Sequence, residues 1–270
     1  MYQVAKLSWI AAFALSLAAC GGGGGGTSTG SSSGGGSSSS QATQQSAEGL
    51  WTGTAVNSAT HVSIATYGII TSAGQMLLAF SYNGAYYAMG TGTVNVNAAT
   101  VSSPDYVVLG LGTGAGTTGT LDGGVSSKLS LIAKSTYPDN ADDTLNLSYD
   151  KQYEESASLA TVKGNYAILN ALGVSTGSFA VDDAGSIAGT NNGCPISGKL
   201  AIHGSGSRNV YDVTISASGG TACATQLTNL SGLATYAKIK STDSAKSLLI
   251  GATRKDGTQY SVFIAAGLRS

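Results

Sequence analysis

Short runs in which apolar and polar residues alternate recur from Ala47 to the end of the 270-residue chain. A period of two places successive side chains on opposite faces of a β-strand, whereas an amphipathic helix needs a period near 3.6 residues. Turn dipeptides such as Asn83-Gly84 and Asp256-Gly257 separate the runs, and both suit a type I′ hairpin, in which two successive residues take positive φ. The pattern therefore predicts an all-β domain, folded as an antiparallel barrel or sandwich.

One helical segment interrupts the alternation at residues 154–162 (EESASLATV). We predict a first β half over residues 47–153, a short helical connector over 154–162 and a second β half over 163–270. Because charged residues make up only 10% of the chain, exposed sheet edges would invite aggregation, so we expect the sheets to close or stack.

Each β half opens on a glycine followed two positions later by an aromatic residue, as Gly49-x-Trp51 and Gly164-x-Tyr166. Two interpretations of this spacing are open. The chain folds either into two similar β lobes joined by the short helix or into one continuous meander.

The N-terminal segment predicts export and a lipid anchor. Lys6 precedes an apolar run over residues 7–19, which is too short to cross about 30 Å of hydrocarbon as a helix but is typical of a signal peptide. The run ends in the tetrad LAAC at residues 17–20, which resembles the lipobox of bacterial lipoproteins. The resemblance implies that the signal peptide, residues 1–19, is removed and that Cys20 carries the lipid that holds the protein in the membrane. The alternative is an ordinary signal peptide that contains a cysteine.

Residues 20–46 are predicted to be the lipidated cysteine and a disordered tether. From residue 21 to residue 40 the chain contains only Gly, Ser and Thr, a composition that cannot bury enough apolar surface to fold. The flexible segment from residue 21 to residue 46 reaches roughly 28 Å. Gly21 follows the lipobox cysteine where enterobacterial lipoproteins of the inner membrane have aspartate, so the resemblance favours the outer membrane and leaves the periplasmic or surface face open.

The two remaining cysteines, Cys194 and Cys223, are predicted to pair. Leftover cysteines of an exported protein usually form a disulfide, and such a bond stabilises a loop of this size by roughly 3–4 kcal/mol. Metal ligation has only His203 as a further candidate ligand nearby, and redox chemistry lacks a CxxC motif. We predict no metal or cofactor.

Three tyrosines, Tyr82, Tyr86 and Tyr87, flank the turn at Asn83 and Gly84 and form the candidate binding surface. Tyrosine combined with Ser, Gly and Asn is typical of adaptable binding surfaces, although tyrosine also favours strands for packing alone. Alternation places Tyr86 and Tyr87 on opposite faces of their strand, so at most one of them shares a surface with Tyr82.

Other motifs resemble catalytic or ligand-binding sequences only in part. Residues 173–177 match GxSxG, but that nucleophile motif needs a helix after Ser175, and a strand-like sequence follows. Residues 114–119 match GxGxxG, but a phosphate site needs a helix there, and we predict a glycine-rich loop followed by a second turn over residues 121–127. Asp139, Asn140, Asp142 and Asp143 supply oxygen ligands that suit calcium, with a solvated acidic loop as the alternative.

Several segments together resemble a poorly characterised family of β-rich proteobacterial envelope lipoproteins. They are residues 49–54 (GLWTGT), 184–190 (AGSIAGT), 193–194 (GC), 197–198 (SG), 209–214 (NVYDVT) and Cys223. The resemblance implies a lipid anchor and a β-rich domain and no established activity. Lipoproteins with two β lobes that bind host iron or haem carriers are a looser analogy, for which no residues match.

The sequence therefore favours a non-enzymatic envelope lipoprotein that binds a protein or a glycan or has an accessory structural role. Nucleic acid is excluded as the main partner, because 13 scattered Lys and Arg in a chain of net charge −1 form no basic face. One alternative is a small-ligand carrier with a cavity inside a barrel. The other is an envelope hydrolase, whose catalytic groups would come from His61, His203, Ser175, Asp105, Asp122 and Asp182.

Overall fold

A computed structural model describes residues 44–138, 142–169, 172, 174–221, 223, 226–239 and 243–270. The predicted signal peptide, the lipidation site Cys20 and most of the predicted tether lie outside these residues. The strands are β1 (Gly49–Asn57), β2 (Ser63–Ile70), β3 (Gln75–Tyr82), β4 (Ala85–Thr93), β5 (Asn95–Asn97), β6 (Thr100–Ser103), β7 (Val107–Gly110), β8 (Gly112–Ala115), β9 (Thr117–Thr118), β10 (Thr120–Ser126), β11 (Ser130–Thr136), β12 (Asp143–Asp150), β13 (Gly164–Leu169), β14 (Ser175–Val181), β15 (Ser186–Asn191), β16 (Cys194–Ile202), β17 (Tyr211–Ala217), β18 (Leu227–Ala237), β19 (Ser247–Asp256) and β20 (Gln259–Arg269).

The first lobe is an 11-stranded antiparallel sheet in the order β5-β6-β10-β11-β12-β1-β2-β3-β4-β7-β9. Its inner face is apolar because the strands alternate as predicted. In β11, Leu131 and Ala133 are buried while Ile132 between them is exposed, and Leu145 and Leu147 continue the buried row on β12. The sheet curls around this core.

The second lobe is a closed barrel. Strands β13 to β20 pair with their neighbours in sequence order, and the pairing of β13 with β20 closes the ring of eight strands. Closure leaves few free strand edges. The predicted all-β fold is confirmed, and of the two interpretations the structure has the two β lobes.

Both aromatic residues of the Gly-x-aromatic pairs occupy corresponding positions in the two lobes. Trp51 and Tyr166 are fully buried near the start of the first strand of each lobe. The Trp51 indole N–H donates to the carbonyl oxygen of Ala47 at 2.9 Å, and the Tyr166 hydroxyl donates to the carbonyl oxygen of Val162 at 2.6 Å. Each ring therefore fixes the chain four residues before it, at the entry to its lobe.

The connector differs from the predicted helix over residues 154–162. A 3-10 helix covers Lys151–Glu154 and a single α-helical turn, α1, covers Leu159–Val162. The residues between them are not helical, because their amide groups bond to the second lobe. The Ala157 N–H donates to the Gly206 carbonyl, and the Ser158 N–H donates to the Tyr211 hydroxyl.

The glycine-rich segment at residues 112–126 is also different from its prediction. Instead of a loop and a turn it forms β8, β9 and β10. β8 leaves the first lobe and pairs with β20 of the second, from Gly112 opposite Val262 to Ala115 opposite Gln259. These strands are stabilised by partners distant in sequence, which overrides the weak strand propensity of glycine.

The turns agree in part with their predictions. Asn83 and Gly84 both have positive φ, as a type I′ turn requires. At the second predicted turn, Asp256 is the last residue of β19 and pairs with Gln259. The two loop residues are therefore Gly257 and Thr258, one position later than predicted. Of these two, only Gly257 has positive φ.

The predicted disulfide between Cys194 and Cys223 is present. It joins the first residue of β16 to the segment that precedes β18. The bond therefore lies in the second lobe, where it links the start of β16 to the β17–β18 connection.

Candidate functional site

The two lobes pack together through the outer faces of their sheets. The first lobe contributes buried side chains from β1, β2, β3, β4 and β7, and the second from β18, β19 and β20, including Leu233, Leu249 and Ile264. The two curved sheets touch along a stripe and diverge on either side of it. This divergence leaves a cleft on each side, one of about 850 Å³ and one of about 680 Å³.

The larger cleft, here called the tyrosine cleft, has aromatic walls. Tyr67 on β2, Tyr86 on β4 and Tyr149 on β12 line it from the first lobe, and Ala266 and Leu268 on β20 line it from the second. Its volume lies within the range of ligand pockets, which are typically apolar with a few fixed polar groups.

Several residues that line the tyrosine cleft are fixed by hydrogen bonds. The Tyr67 hydroxyl donates to the carbonyl oxygen of Lys238 at 3.2 Å, and the Tyr149 hydroxyl donates to the Glu154 carboxylate at 2.7 Å. The Gln152 side chain donates to the Lys238 carbonyl and accepts from its N–H, at 3.2 and 2.8 Å. The bonds of Tyr67 and Gln152 to Lys238 connect the first lobe and the connector to the second lobe.

Burial raises the pKa of the Tyr67 and Tyr86 hydroxyls well above the ordinary value for tyrosine. Burial likewise raises the pKa of Tyr149, and its bond to Glu154 adds to the shift. The three hydroxyls are therefore protonated at neutral pH, so the cleft presents uncharged groups that both donate and accept hydrogen bonds.

The predicted binding residues are divided between two surfaces. Tyr82 is exposed at the tip of the β3–β4 hairpin, next to Gly84, which lines the tyrosine cleft together with Tyr86. Tyr87 lies at a bulge opposite β3. Its pKa is raised mainly by burial and to a smaller extent by the nearby Asp143 carboxylate. Tyr87 is not among the residues that line the tyrosine cleft.

The opposite rim of the tyrosine cleft is an apolar surface that the sequence analysis missed. Leu169 and Leu268 line the cleft and are about one third exposed, and beside them in the β13–β14 connection the side chains of Leu172 and Val174 are 86% and 58% exposed. The sequence signal that could have identified this surface is the pair of large apolar residues in the connection before β14, which also holds the GxSxG motif.

The residues considered for hydrolysis are dispersed. His203 Nδ1 lies 2.8 Å from an Asp212 carboxylate oxygen, and the Ser175 hydroxyl donates to the Gly177 carbonyl at 3.0 Å. Asp182 accepts from backbone amides of its own turn, and the His61 amide donates within the β1–β2 turn. Among the hydrogen bonds of the described residues, none joins a histidine to a serine.

The acidic segment proposed for calcium lies partly outside the described residues, because Asp139 and Asn140 are among those omitted. Of the others, Asp142 forms an ion pair with Lys134 at 2.5 Å, and Asp143 accepts from the Asn57 side chain at 2.9 Å. No group of three or more His, Cys, Asp or Glu in the described part of the chain is arranged to hold a metal ion. A membrane-spanning helix is likewise absent from those residues.

Comparison with known proteins gives little further identification. No protein-family model matches the chain, and no curated protein sequence matches it. A similar solved structure is a tryptophan-to-alanine mutant of the vaccine antigen Transferrin Binding Protein B from Haemophilus parasuis Hp5, with 11% sequence identity and a TM-score of 0.30. The match covers 83% of this chain and 60% of that one, so the chain spans less than two thirds of that protein's length. A similarity at this level identifies neither a family nor a ligand.

Proposed function

We propose that this chain is a non-enzymatic lipoprotein of the bacterial cell envelope that binds a protein ligand at the tyrosine cleft. The anchor is Cys20, which follows the signal peptide in a lipobox-like LAAC tetrad. Gly21 after the cysteine favours the outer membrane, and a Gly, Ser and Thr tether separates the anchor from the two lobes.

The exposed apolar rim is the observation that carries the choice of a protein ligand. Leu169 and Leu268 of the second lobe line the cleft and are partly exposed. The exposed Leu172 and Val174 follow Leu169 within five residues, and the exposed Tyr82 lies two residues before the cleft-lining Gly84. Contiguous exposed apolar side chains around a cleft are typical of protein-binding surfaces, and aromatic residues at their centre contribute most of the binding energy.

The positions of Gln44 and Gln45, at the described end of the predicted tether, support this use of the cleft. The side chain of Gln44 and the amide of Gln45 donate to carbonyls at Val96 and Ala98, near the end of the first lobe where β3 begins. Tyr82 ends β3, and eight residues of strand span roughly 25 Å. Tyr82 thus lies at the opposite end of β3 from the part of the first lobe that Gln44 and Gln45 contact.

The two alternatives from the sequence gain less support. Carriage of a small ligand inside the barrel requires an internal cavity, and the barrel interior is filled by buried side chains that include Tyr166, Phe179, Leu200 and Tyr211. Hydrolysis requires a base next to a nucleophile, and His203 pairs with Asp212 instead.

Lipid attachment is tested by processing of the full-length chain. Globomycin blocks the lipoprotein signal peptidase, so we expect the unprocessed precursor to accumulate in treated cells. Mass spectrometry of the mature N-terminal peptide should show an acylated Cys20. A free thiol at Cys20 would contradict the anchor.

Ligand binding is tested by photo-crosslinking in intact cells. A photoreactive amino acid replaces Tyr82 in one variant and Leu172 in another, and a third variant places it at Ile132, an equally exposed position on the outer face of β11. We expect the first two to capture the same protein and Ile132 to capture none. Capture should be lost when Tyr86→Ala is added. Equal capture at all three positions, or capture at none, would refute the proposal.

A further inference from the structure

The second interlobe cleft differs in chemistry from the tyrosine cleft. It lies on the other side of the contact stripe and has a volume of about 680 Å³. Its second-lobe wall carries Thr214 on β17, Ser231 on β18 and Thr253 on β19, and its first-lobe wall carries threonines from β4. We call it the hydroxyl cleft. The proposed protein-binding function does not involve it.

The three hydroxyl residues of the second lobe form a row. Thr214 is directly opposite Ser231 and Ser231 is directly opposite Thr253 in the strand register. Neighbouring strands lie about 4.8 Å apart, so the row spans roughly 10 Å. Because the adjacent residues Val213 and Leu230 point into the barrel core, these hydroxyls face outward into the cleft.

None of these three hydroxyl groups makes a hydrogen bond within the part of the chain that the structure describes. By contrast, the Thr91 hydroxyl on the opposite wall donates to the Met76 carbonyl at 3.0 Å. The row therefore presents both donors and acceptors to a ligand.

The first-lobe wall contributes a fixed carboxylate. Asp105 accepts from the Thr93 amide at 2.7 Å, from the Thr93 hydroxyl at 2.9 Å and from the Ser103 hydroxyl at 3.0 Å. Burial alone would raise the pKa of Asp105, but these hydrogen bonds lower it below the ordinary value, so the group is ionised at neutral pH. It is an acceptor held in one orientation, which reduces the entropy lost on binding.

The charges of the hydroxyl cleft discriminate between ligand classes. It holds two carboxylates, Asp105 and Asp212, of which Asp212 is bonded to His203. It also holds one ammonium group, Lys255, which lies 5.4 Å from the centre of the Tyr260 ring. An anionic ligand would be repelled by the excess of negative charge, and an apolar ligand would desolvate hydroxyls without giving them partners. An uncharged ligand rich in hydroxyl groups satisfies the donors and acceptors alike.

We propose that the hydroxyl cleft binds a neutral oligosaccharide. The sugar hydroxyls would bond to the row of Thr214, Ser231 and Thr253 and to the Asp105 carboxylate. Tyr260 at the edge of the cleft supplies the apolar surface against which a sugar ring packs.

The test uses the full chain, purified in a zwitterionic detergent that carries no sugar. An array of neutral, sialylated and sulfated oligosaccharides is probed first, and the neutral glycan with the strongest signal is then titrated by calorimetry. We expect Ser231→Ala and Thr253→Val each to weaken its affinity by roughly three- to tenfold, the effect of one lost hydrogen bond.

The matched control is Thr190→Val, because Thr190 is an exposed strand threonine on β15, outside both clefts. It should bind like the parent chain, and circular dichroism should show that all three variants fold. Absence of neutral-glycan binding at millimolar concentration, preference for sialylated or sulfated glycans, or unchanged affinity in both cleft variants would each overturn the proposal. Photo-crosslinking at Tyr82 is independent of these outcomes.

Discussion

The two lobes solve the problem of free strand edges differently. The second lobe pairs its last strand with its first and closes, whereas the first lobe remains a curled sheet that ends at the short strands β5 and β9. The chain that leaves the first lobe also forms β8, which pairs with β20 of the barrel. The outer face of the first lobe is buried against the second lobe. The comparison indicates that the open lobe depends on the closed one for its stability.

The largest expected effect on the free energy of unfolding comes from replacing one buried leucine by alanine in the core of each lobe. Leu145→Ala in the first lobe and Leu200→Ala in the second each remove a fully buried leucine and should lower the free energy of unfolding by about 2–5 kcal/mol. Trp51 fluorescence reports on the first lobe and circular dichroism on both. If the open lobe depends on the barrel, Leu200→Ala shifts the Trp51 unfolding midpoint in urea. An unchanged Trp51 midpoint in that variant would mean that the first lobe is independent.

The disulfide sharpens the comparison because it belongs to the closed lobe only. Replacing Cys194 and Cys223 by alanine together should lower the free energy of unfolding by about 3–4 kcal/mol, since the unfolded chain regains the freedom that the 29-residue link removes. Urea unfolding of the parent chain with reductant should give the same midpoint as the double variant. As a control, reductant should not shift the double variant itself, and a parent chain insensitive to reductant would contradict the expected contribution.

Substitutions in β8 and at the residue that follows it give the smallest of the three effects on the free energy of unfolding. A side chain at Gly116 would meet Leu109 and Val107 at 2.5 Å, whereas one at Gly114 would meet nothing within 4 Å. The contacts at Gly116 are with side-chain ends, so Gly116→Val should cost about 1–3 kcal/mol and Gly114→Val much less. The measurement is again urea unfolding, and equal costs at the two positions would show that the chain after β8 does not pack closely against β7.

Much of the fold was predictable where the signal is local. Leu131, Ala133 and Leu145 follow the period of two that places them in a core, and Asn83-Gly84 forms the turn that its backbone preferences require. The connector was predicted as one helix because its propensity is helical, but the amides of Ala157 and Ser158 bond to the barrel instead. That competition depends on Gly206 and Tyr211, which are distant in sequence.

The candidate site was predictable only in part. Tyr82 and Tyr86 were identified from their composition and turn, because both lie beside one hairpin. Leu169 and Leu268 were missed, since they are about 100 residues apart and meet only because β13 pairs with β20. The hydroxyl row of the second cleft was missed for the same reason, because its three residues are brought into line only by the pairing of β17, β18 and β19.

The sequence by itself determined the alternation of strands, the pairing of the two domain cysteines and the Gly-x-aromatic pair that opens each β half. These features depend on residues close together in the chain or, for the cysteines, on there being one available partner. Only the tertiary structure decided that one sheet closes and the other does not, and that their outer faces meet along a stripe with a cleft on each side. Strand register and lobe packing are set by contacts between distant residues, which a local periodicity cannot specify.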